Sequence, residues 1–94
     1  MQSVFEALSH PVRRDILKLL RKRAMSAGEI ADHFPIAKPT LSGHFTILKS
    51  ANLVTTERQG TTILYRINES AMEQMLSAVM DLTGVKAKER DKGK

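Results

Sequence analysis

Residues 26–48 read SAGEIADHFPIAKPTLSGHFTIL, and this stretch decides the fold. Ser26 and Glu29 have the spacing of a capping box, in which a hydroxyl and a carboxylate satisfy backbone donors at a helix start. We therefore expect a helix over about 27–33. Pro35 disfavours helical geometry at the residue before it and has no N–H, so the chain must turn there. A second helix after this turn would complete a helix-turn-helix.

The second helix of the stretch is predicted to begin near Pro39, because proline suits the first turn of a helix. Leu41, Phe45 and Leu48 fall at i, i+4 and i+7 and form an apolar stripe. The remaining surface carries hydroxyl groups, which can bond to phosphates or base edges, and a glycine that permits close approach to DNA. This surface fits a recognition helix in a major groove. Its candidate DNA-contacting residues are Lys38, Pro39, Thr40, Ser42, Gly43, His44 and Thr46.

Two runs rich in β-branched and aromatic residues follow, at positions 53–57 and 62–67. Asn52 before them is a candidate left-handed cap of the preceding helix. Gly60 can adopt a positive φ in the connecting loop, so the pattern predicts one antiparallel hairpin. A hairpin directly after a helix-turn-helix is the wing of a winged helix, which can reach an adjacent minor groove or the DNA backbone. The candidate wing contacts are Arg58, Gln59, Gly60 and Thr61.

Further helices are predicted on both sides of this unit. A short first helix precedes Ser9, and a second helix begins at Pro11 and runs to about Arg23. The last helix ends at Gly84 and begins either with Asn68 as its cap or with a second capping box at Ser70. Its apolar positions are Met72, Met75, Leu76, Val79, Met80 and Leu82. The predicted fold class is mainly α with a small β-hairpin (α+β), a winged helix-turn-helix with four helices, two strands and a fifth helix.

Length and charge bound the organisation of the chain. Its 94 residues correspond to one small domain, predicted over 1–84, which would be marginally stable alone and favours a second copy. The net charge of +5 favours an anionic partner. Residues 85–94 carry five basic and two acidic side chains and are predicted to form a disordered basic tail.

Several classes of protein are disfavoured. The absence of cysteine excludes disulfides, thiolate metal sites and thiol switches in this chain. We expect no cofactor and no enzyme activity, because no motif combines a nucleophile, a base and oxyanion donors. His10, His33 and His44 lack i, i+4 spacing, so no metal site is predicted. No signal peptide or long apolar run is present, so we expect a cytoplasmic protein without membrane insertion.

Residues 7–17, ALSHPVRRDIL, resemble the LS-x-P-x-R-x-x-IL opening of ArsR-type winged-helix repressors. Matching segments follow in the same order at 28–31 (GEIA), 38–48 (KPTLSGHFTIL), 51–54 (ANLV) and 65–67 (YRI). The resemblance implies a homodimer, joined through the first and last helices, that binds a pseudo-palindromic operator and represses transcription until an inducing signal releases it. The interface it implies comprises Val4, Phe5, Leu8, Met72, Met75, Leu76, Val79 and Met80.

The sequence departs from the family pattern in four places. Ala37 stands where the family often has a serine cap, and His10 stands where aspartate is common. The thiolate pair with which soft-metal sensors of the family begin their third helix is absent. A second family metal site, on paired last helices, is absent too, because the last helix here contains no histidine. The resemblance therefore implies a repressor without cysteine-based metal or redox sensing.

Some assignments stay open at the level of sequence. His44 is either a groove or phosphate contact or a hydrogen-bonded residue at the edge of the core. Arg13 and Arg14 are either phosphate contacts or partners of Asp15 or Glu6 in an ion pair. The methionines of the last helix form a core or dimer seam, or line a pocket for a small ligand or partner protein.

The function itself also has an alternative. The chain could be a winged-helix protein-interaction module whose last helix docks a partner protein. An inducer of the repressor, if one acts, is a small molecule or a protein.

Overall fold

The computed structural model describes residues 3–84, and the predicted tail at 85–94 lies outside them. The elements in chain order are α1 (Val4–Ala7), α2 (Pro11–Lys22), β1 (Met25–Ser26), α3 (Ala27–Ala31), α4 (Lys38–Ser50), β2 (Val54–Gln59), β3 (Thr62–Ile67) and α5 (Glu69–Thr83). The mainly helical winged helix-turn-helix order predicted from the sequence is confirmed, with one strand added.

The predicted capping box opens α3. Ser26 Oγ accepts from the Glu29 N–H at 3.1 Å, and Glu29 Oε1 accepts from the Ser26 N–H at 2.9 Å. The Ser26 N–H and then the Arg23 guanidinium lower the pKa of the Glu29 carboxyl. α3 ends at Ala31, two residues before the predicted end, because the His33 N–H bonds to the Ile30 carbonyl at 3.0 Å and tightens the chain into the turn.

The side chains of His10 and Asn68 cap two further helices. His10 caps α2 by accepting from the Val12 N–H at Nδ1, at 3.1 Å. Asn68 caps α5 by accepting from the Ala71 N–H at 3.2 Å, so the alternative capping box at Ser70 is wrong. Ser70 lies inside the first turn, because the Asn68 amide takes the cap position two residues earlier. The predicted end of α5 is confirmed by Gly84, whose φ is 82°.

The predicted left-handed residue after α4 is confirmed. Asn52 has a φ of 65°, and the next N–H, on Leu53, bonds back to the Leu48 carbonyl at 3.0 Å. This pairing satisfies carbonyls at the helix end and turns the chain into the sheet.

The sheet has three antiparallel strands in the order β1-β3-β2, so the prediction of a lone hairpin is incomplete. Met25 pairs with Tyr65 on the edge of β3 that the hairpin leaves open. A strand of two residues carries no alternating pattern, so sequence periodicity does not reveal it. The hairpin loop is also shorter than predicted, because β2 and β3 pair out to Gln59 and Thr62 and leave two residues between them. Gly60 supplies the positive φ of 65° that this tight turn requires.

One hydrophobic core connects these elements. Ile16 of α2, Ile30 of α3 and Leu48 of α4 are fully buried in it. The Phe45 and Tyr65 rings lie 4.8 Å apart and join α4 to the sheet. One side of α4 therefore packs against α2 and β3, and its other side faces outward.

Candidate nucleic-acid interface

α4 is divided into a buried and an exposed side. Leu41, Phe45 and Leu48 are buried as the apolar stripe predicted. The residues predicted to contact DNA are, with one exception, exposed: Lys38, Pro39, Thr40, Ser42, Gly43 and Thr46. The exposed side of this helix consequently presents small groups, hydroxyls and the ammonium groups of Lys38 and Lys49 to a partner.

The hydroxyl of Thr46 has a defined hydrogen-bonding role. Its Oγ1 donates to the Ser42 carbonyl at 3.1 Å. Because its single proton is used within the helix, the oxygen offers lone pairs outward and can act as an acceptor toward a base edge.

The start of α4 carries no side-chain cap. Ala37 occupies the cap position with extended geometry and makes no side-chain hydrogen bond to the first turn. The polar N–H groups and the positive end of the helix dipole are thus left for an external anion such as a phosphate, next to Lys38.

The wing lies at the end of β2 and β3. Arg58, Gln59, Gly60 and Thr61 are all exposed there. Farther down the hairpin Arg66 donates to Glu57 Oε1 at 2.9 and 2.7 Å, and this hydrogen bonding and the arginine charge lower the pKa of Glu57. Within residues 3–84 Arg58 forms no ion pair, so its charge is available at the tip of the wing.

His44 is the exception on α4. It is only 8% exposed, and its Nδ1 lies 3.2 Å from Arg13 Nη1. Of the two alternatives open from the sequence, the structure supports the hydrogen-bonded residue at the core edge. His44 is wrong as a surface contact, because the helical rotation that buries Leu41 and Phe45 also turns position 44 inward.

Arg13 and Arg14 of α2 bond to main-chain carbonyls and not to the acidic partners that the sequence offered. Arg13 is 7% exposed, also donates to His44 and forms no ion pair within residues 3–84, so its burial disfavours a phosphate contact. Arg14 is exposed and donates to the Leu8 carbonyl at 2.7 Å. Asp15 pairs with Lys18 instead, at 3.9 Å. Sequence spacing could not show that the carbonyls at the end of α1 lie above these guanidinium groups.

A second surface of interest is formed by α1 and α5, and it is apolar. None of the α5 residues is buried, although its methionines, Leu76 and Val79 are only half-exposed, and Leu82 is 82% exposed. Phe5 is 56% exposed. A cavity of about 280 Å³ opens between α1, the end of α4 and α5. The predicted interface residues Val4, Phe5, Leu8, Met72, Met75, Leu76, Val79 and Met80 all lie on these two helices or beside them.

Residues 3–84 contain no group of three or more histidine, aspartate or glutamate side chains placed to hold a metal ion. No helix in the same range has the length and apolar character required to cross a membrane.

Comparison with known proteins gives the family. The helix-turn-helix domain family matches residues 8–57, more than half of the chain. Over 86% of the chain the sequence is 41% identical to the transcriptional repressor SdpR of Bacillus subtilis, and the match covers 90% of that protein. It is also 33% identical to the arsenical resistance operon repressor of Staphylococcus xylosus, over 78% of this chain and 70% of the relative. The chain belongs to the ArsR family of winged helix-turn-helix transcriptional regulators.

The solved structures of ArsR-family proteins have the same fold. The repressor BigR from Xylella fastidiosa aligns with a TM-score of 0.66 and 32% identity, covering 83% of this chain and 80% of that one. A homodimeric winged helix-turn-helix DNA-binding domain from Mycobacterium bovis, named a possible ArsR-family regulator, aligns with a TM-score of 0.66 and 30% identity. That alignment covers 84% of this chain and 78% of the neighbour. The family expectation drawn from the sequence motifs is thus confirmed.

Proposed function

We propose that this ArsR-family protein is a sequence-specific DNA-binding repressor that acts as a homodimer on a pseudo-palindromic operator. The observation that carries the proposal is the exposed polar side of α4 beside a wing with an unpaired Arg58. A helix with small polar residues enters a major groove, and an adjacent basic wing reaches the neighbouring backbone or minor groove. The names of the repressors from Bacillus subtilis and Staphylococcus xylosus support the direction of regulation.

The proposed contacts divide by chemistry. Lys38, the uncapped start of α4 and Arg58 meet phosphates, because they offer positive charge or free N–H groups. Ser42 and Thr46 face base edges, where hydroxyl groups discriminate between donors and acceptors. The remaining proposed contacts are Pro39, Thr40, Gly43, Gln59, Gly60 and Thr61.

The apolar surface of α1 and α5 supports the homodimer. A helix of 15 residues without a buried side chain, next to a largely exposed Phe5, leaves apolar area that a second copy can cover. The homodimeric neighbour from Mycobacterium bovis has the same fold, which supports this choice of partner. A symmetric dimer places two copies of α4 on one side and explains why the operator is a pseudo-palindrome.

An inducing signal completes the proposal. Because the sequence has no cysteine, the signal is not sensed through a thiol, and we propose that a small molecule or a partner protein releases the operator. We also propose a cytoplasmic location, because the similar repressors of Bacillus subtilis and Staphylococcus xylosus come from bacteria, whose DNA lies in the cytoplasm.

Selection of bound sequences from a pool of random duplexes tests this function. The expected product is a pseudo-palindrome whose half-sites lie about one helical turn apart. Affinity for it should fall steeply with salt, with a log–log slope of about −0.9 for each phosphate neutralised. Enrichment of no sequence, or equal affinity for a scrambled duplex, would contradict the proposal and favour the protein-interaction module.

A further inference from the structure

Arg13 is a buried cation whose hydrogen-bond partners are uncharged. Its Nε donates to the Ala7 carbonyl at 2.7 Å and its Nη2 to the Glu6 carbonyl at 3.1 Å. Its Nη1 donates to His44 Nδ1 at 3.2 Å. One side chain of α2 thus contacts both the end of α1 and the middle of α4.

These partners suit a permanently charged group. Carbonyls at the end of a helix carry partial negative charge, so the Ala7 carbonyl offers an acceptor where a guanidinium can be buried. The Glu6 carbonyl adds a second, shared acceptor, because it also accepts from the Ser9 N–H at 3.1 Å and the Ser9 hydroxyl at 2.7 Å. The acceptor on α4 is different in kind, because an imidazole nitrogen can bind a proton.

His44 can accept this hydrogen bond only when it is neutral. A guanidinium has donors and no acceptor, so Nδ1 of His44 must be unprotonated and its proton must lie on Nε2. Protonation would replace the acceptor by a donor and place a second cation 3.2 Å from Arg13 Nη1. The His10 ring also faces this imidazole, with its centroid 4.5 Å from that of His44.

The surroundings keep His44 neutral. Burial comes first among the causes that lower the pKa of His44 below its usual value of 6.5, and the charges of His10 and Arg13 come next. These two charged groups face His44 from α2 and from the α2 cap, whereas α1 contributes the carbonyls that hold Arg13. The imidazole therefore takes up a proton less readily than an unperturbed histidine.

We propose that His44 is a positioning residue for α4: as a neutral acceptor for Arg13 it fixes the DNA-binding helix against α1, and its protonation lowers operator affinity. The inference rests on the proposed function, because α4 carries the base-reading Ser42 and Thr46 and α1 carries part of the dimer surface. In a dimer the distance between the two copies of α4 depends on how each is held against α1. Loss of the Arg13 contact therefore changes the fit to both half-sites.

Variants at position 44 test the hydrogen-bond acceptor of His44 separately from its ring. His44→Asn keeps an acceptor near the position of Nδ1 but cannot be protonated, and His44→Phe keeps a ring but removes the acceptor. His33→Asn, at an exposed position after α3, is the matched control for loss of a histidine charge. Operator affinity is measured for each protein over a pH series that starts at about pH 8, above the usual histidine value, and continues to the lowest pH at which the protein remains folded.

If protonation of His44 lowers operator affinity, the variants should differ in how their affinity depends on pH. Wild type and His33→Asn should lose operator affinity progressively as the pH falls, and the loss should approach about tenfold once His44 is protonated, within the usual range of coupling between sites. His44→Asn should bind with nearly the same affinity throughout the series, and His44→Phe should bind weakly throughout. Far-UV circular dichroism at each pH checks that all four proteins remain folded. Parallel pH curves for wild type and His44→Asn would overturn the proposal.

A second measurement needs no substitution. Binding that favours neutral His44 must in turn lower the pKa of His44, because coupling is reciprocal. For a tenfold preference, NMR titration of the imidazole nitrogens should give a pKa about one pH unit lower in the operator complex than in the free protein. An equal or higher pKa in the complex would refute the inference. Absence of operator-specific binding by wild type at about pH 8 would instead refute the proposed function, so the two failures are distinguishable.

Discussion

Replacement of Thr46 by valine tests the proposed recognition helix most directly. The side chain is exposed on α4, and its hydroxyl bonds only to the Ser42 carbonyl within the described protein, at 3.1 Å. Thr46→Val keeps the shape and exchanges a hydroxyl for a methyl group. An exposed substitution of this kind changes folding stability by less than about 0.5 kcal/mol, so an effect on binding reports the DNA contact.

The expected loss of operator affinity follows from the hydrogen bond that the Thr46 hydroxyl oxygen would accept. With its proton used inside the helix, Thr46 can accept one hydrogen bond from a base. A neutral hydrogen bond contributes about 1 kcal/mol net, and the two half-sites of an operator contain it twice, which gives about 2 kcal/mol or roughly 30-fold in affinity. Affinity for unrelated DNA depends on phosphate contacts and should change by less than about twofold.

Fluorescence anisotropy with the selected operator and a scrambled duplex, at one salt concentration, measures both affinities. Thr55→Val is the matched control, because Thr55 is exposed on β2 at the far end of the hairpin from the wing tip. It should leave both affinities unchanged. An equal loss on the two duplexes for Thr46→Val, or no loss on the operator, would show that Thr46 does not read a base.

Three further substitutions test the start of α4, the wing and the proposed dimer surface. Ala37→Ser supplies the missing cap of α4 and should stabilise the fold by about 1 kcal/mol, which raises Tm by about 4–8 °C. Ala37→Val adds no oxygen and should leave Tm without this increase. Arg58→Ala should make the salt slope of DNA binding shallower by about 0.9 per subunit, and an unchanged slope would remove Arg58 from the phosphate contacts. Val79→Glu should convert the dimer to monomer in sedimentation, while Ser77→Glu, on the exposed side of α5, should leave the dimer intact.

The features that the sequence predicts well are local. The capping box at Ser26, the turn at Pro35 and the left-handed Asn52 each depend on bonds within a few residues, and all three occur in the structure. Helical spacing identifies the buried and exposed sides of α4, because the sides are set by the period of the helix.

The errors concern residues whose partners lie far along the chain. β1 exists because β3 offers an open edge about 40 residues later, and its two residues carry no pattern of their own. Arg13 lacks the acidic partner that its neighbours in sequence offered, because the end of α1 and His44 lie closer in space. The charge of a side chain is visible in a sequence, but its partner depends on the packing of separate helices.

The 94 residues and their net charge of +5 determined a small basic domain, and the local motifs determined a helix-turn-helix with a wing and the ArsR resemblance. These properties depend on neighbours within one or two turns of helix, which a sequence displays directly. Only the tertiary structure decided that His44, among the polar residues of α4, is buried against Arg13. The reason is that burial of His44 requires α1, α2 and α4 to meet, and that meeting joins atoms 31 residues apart in the chain.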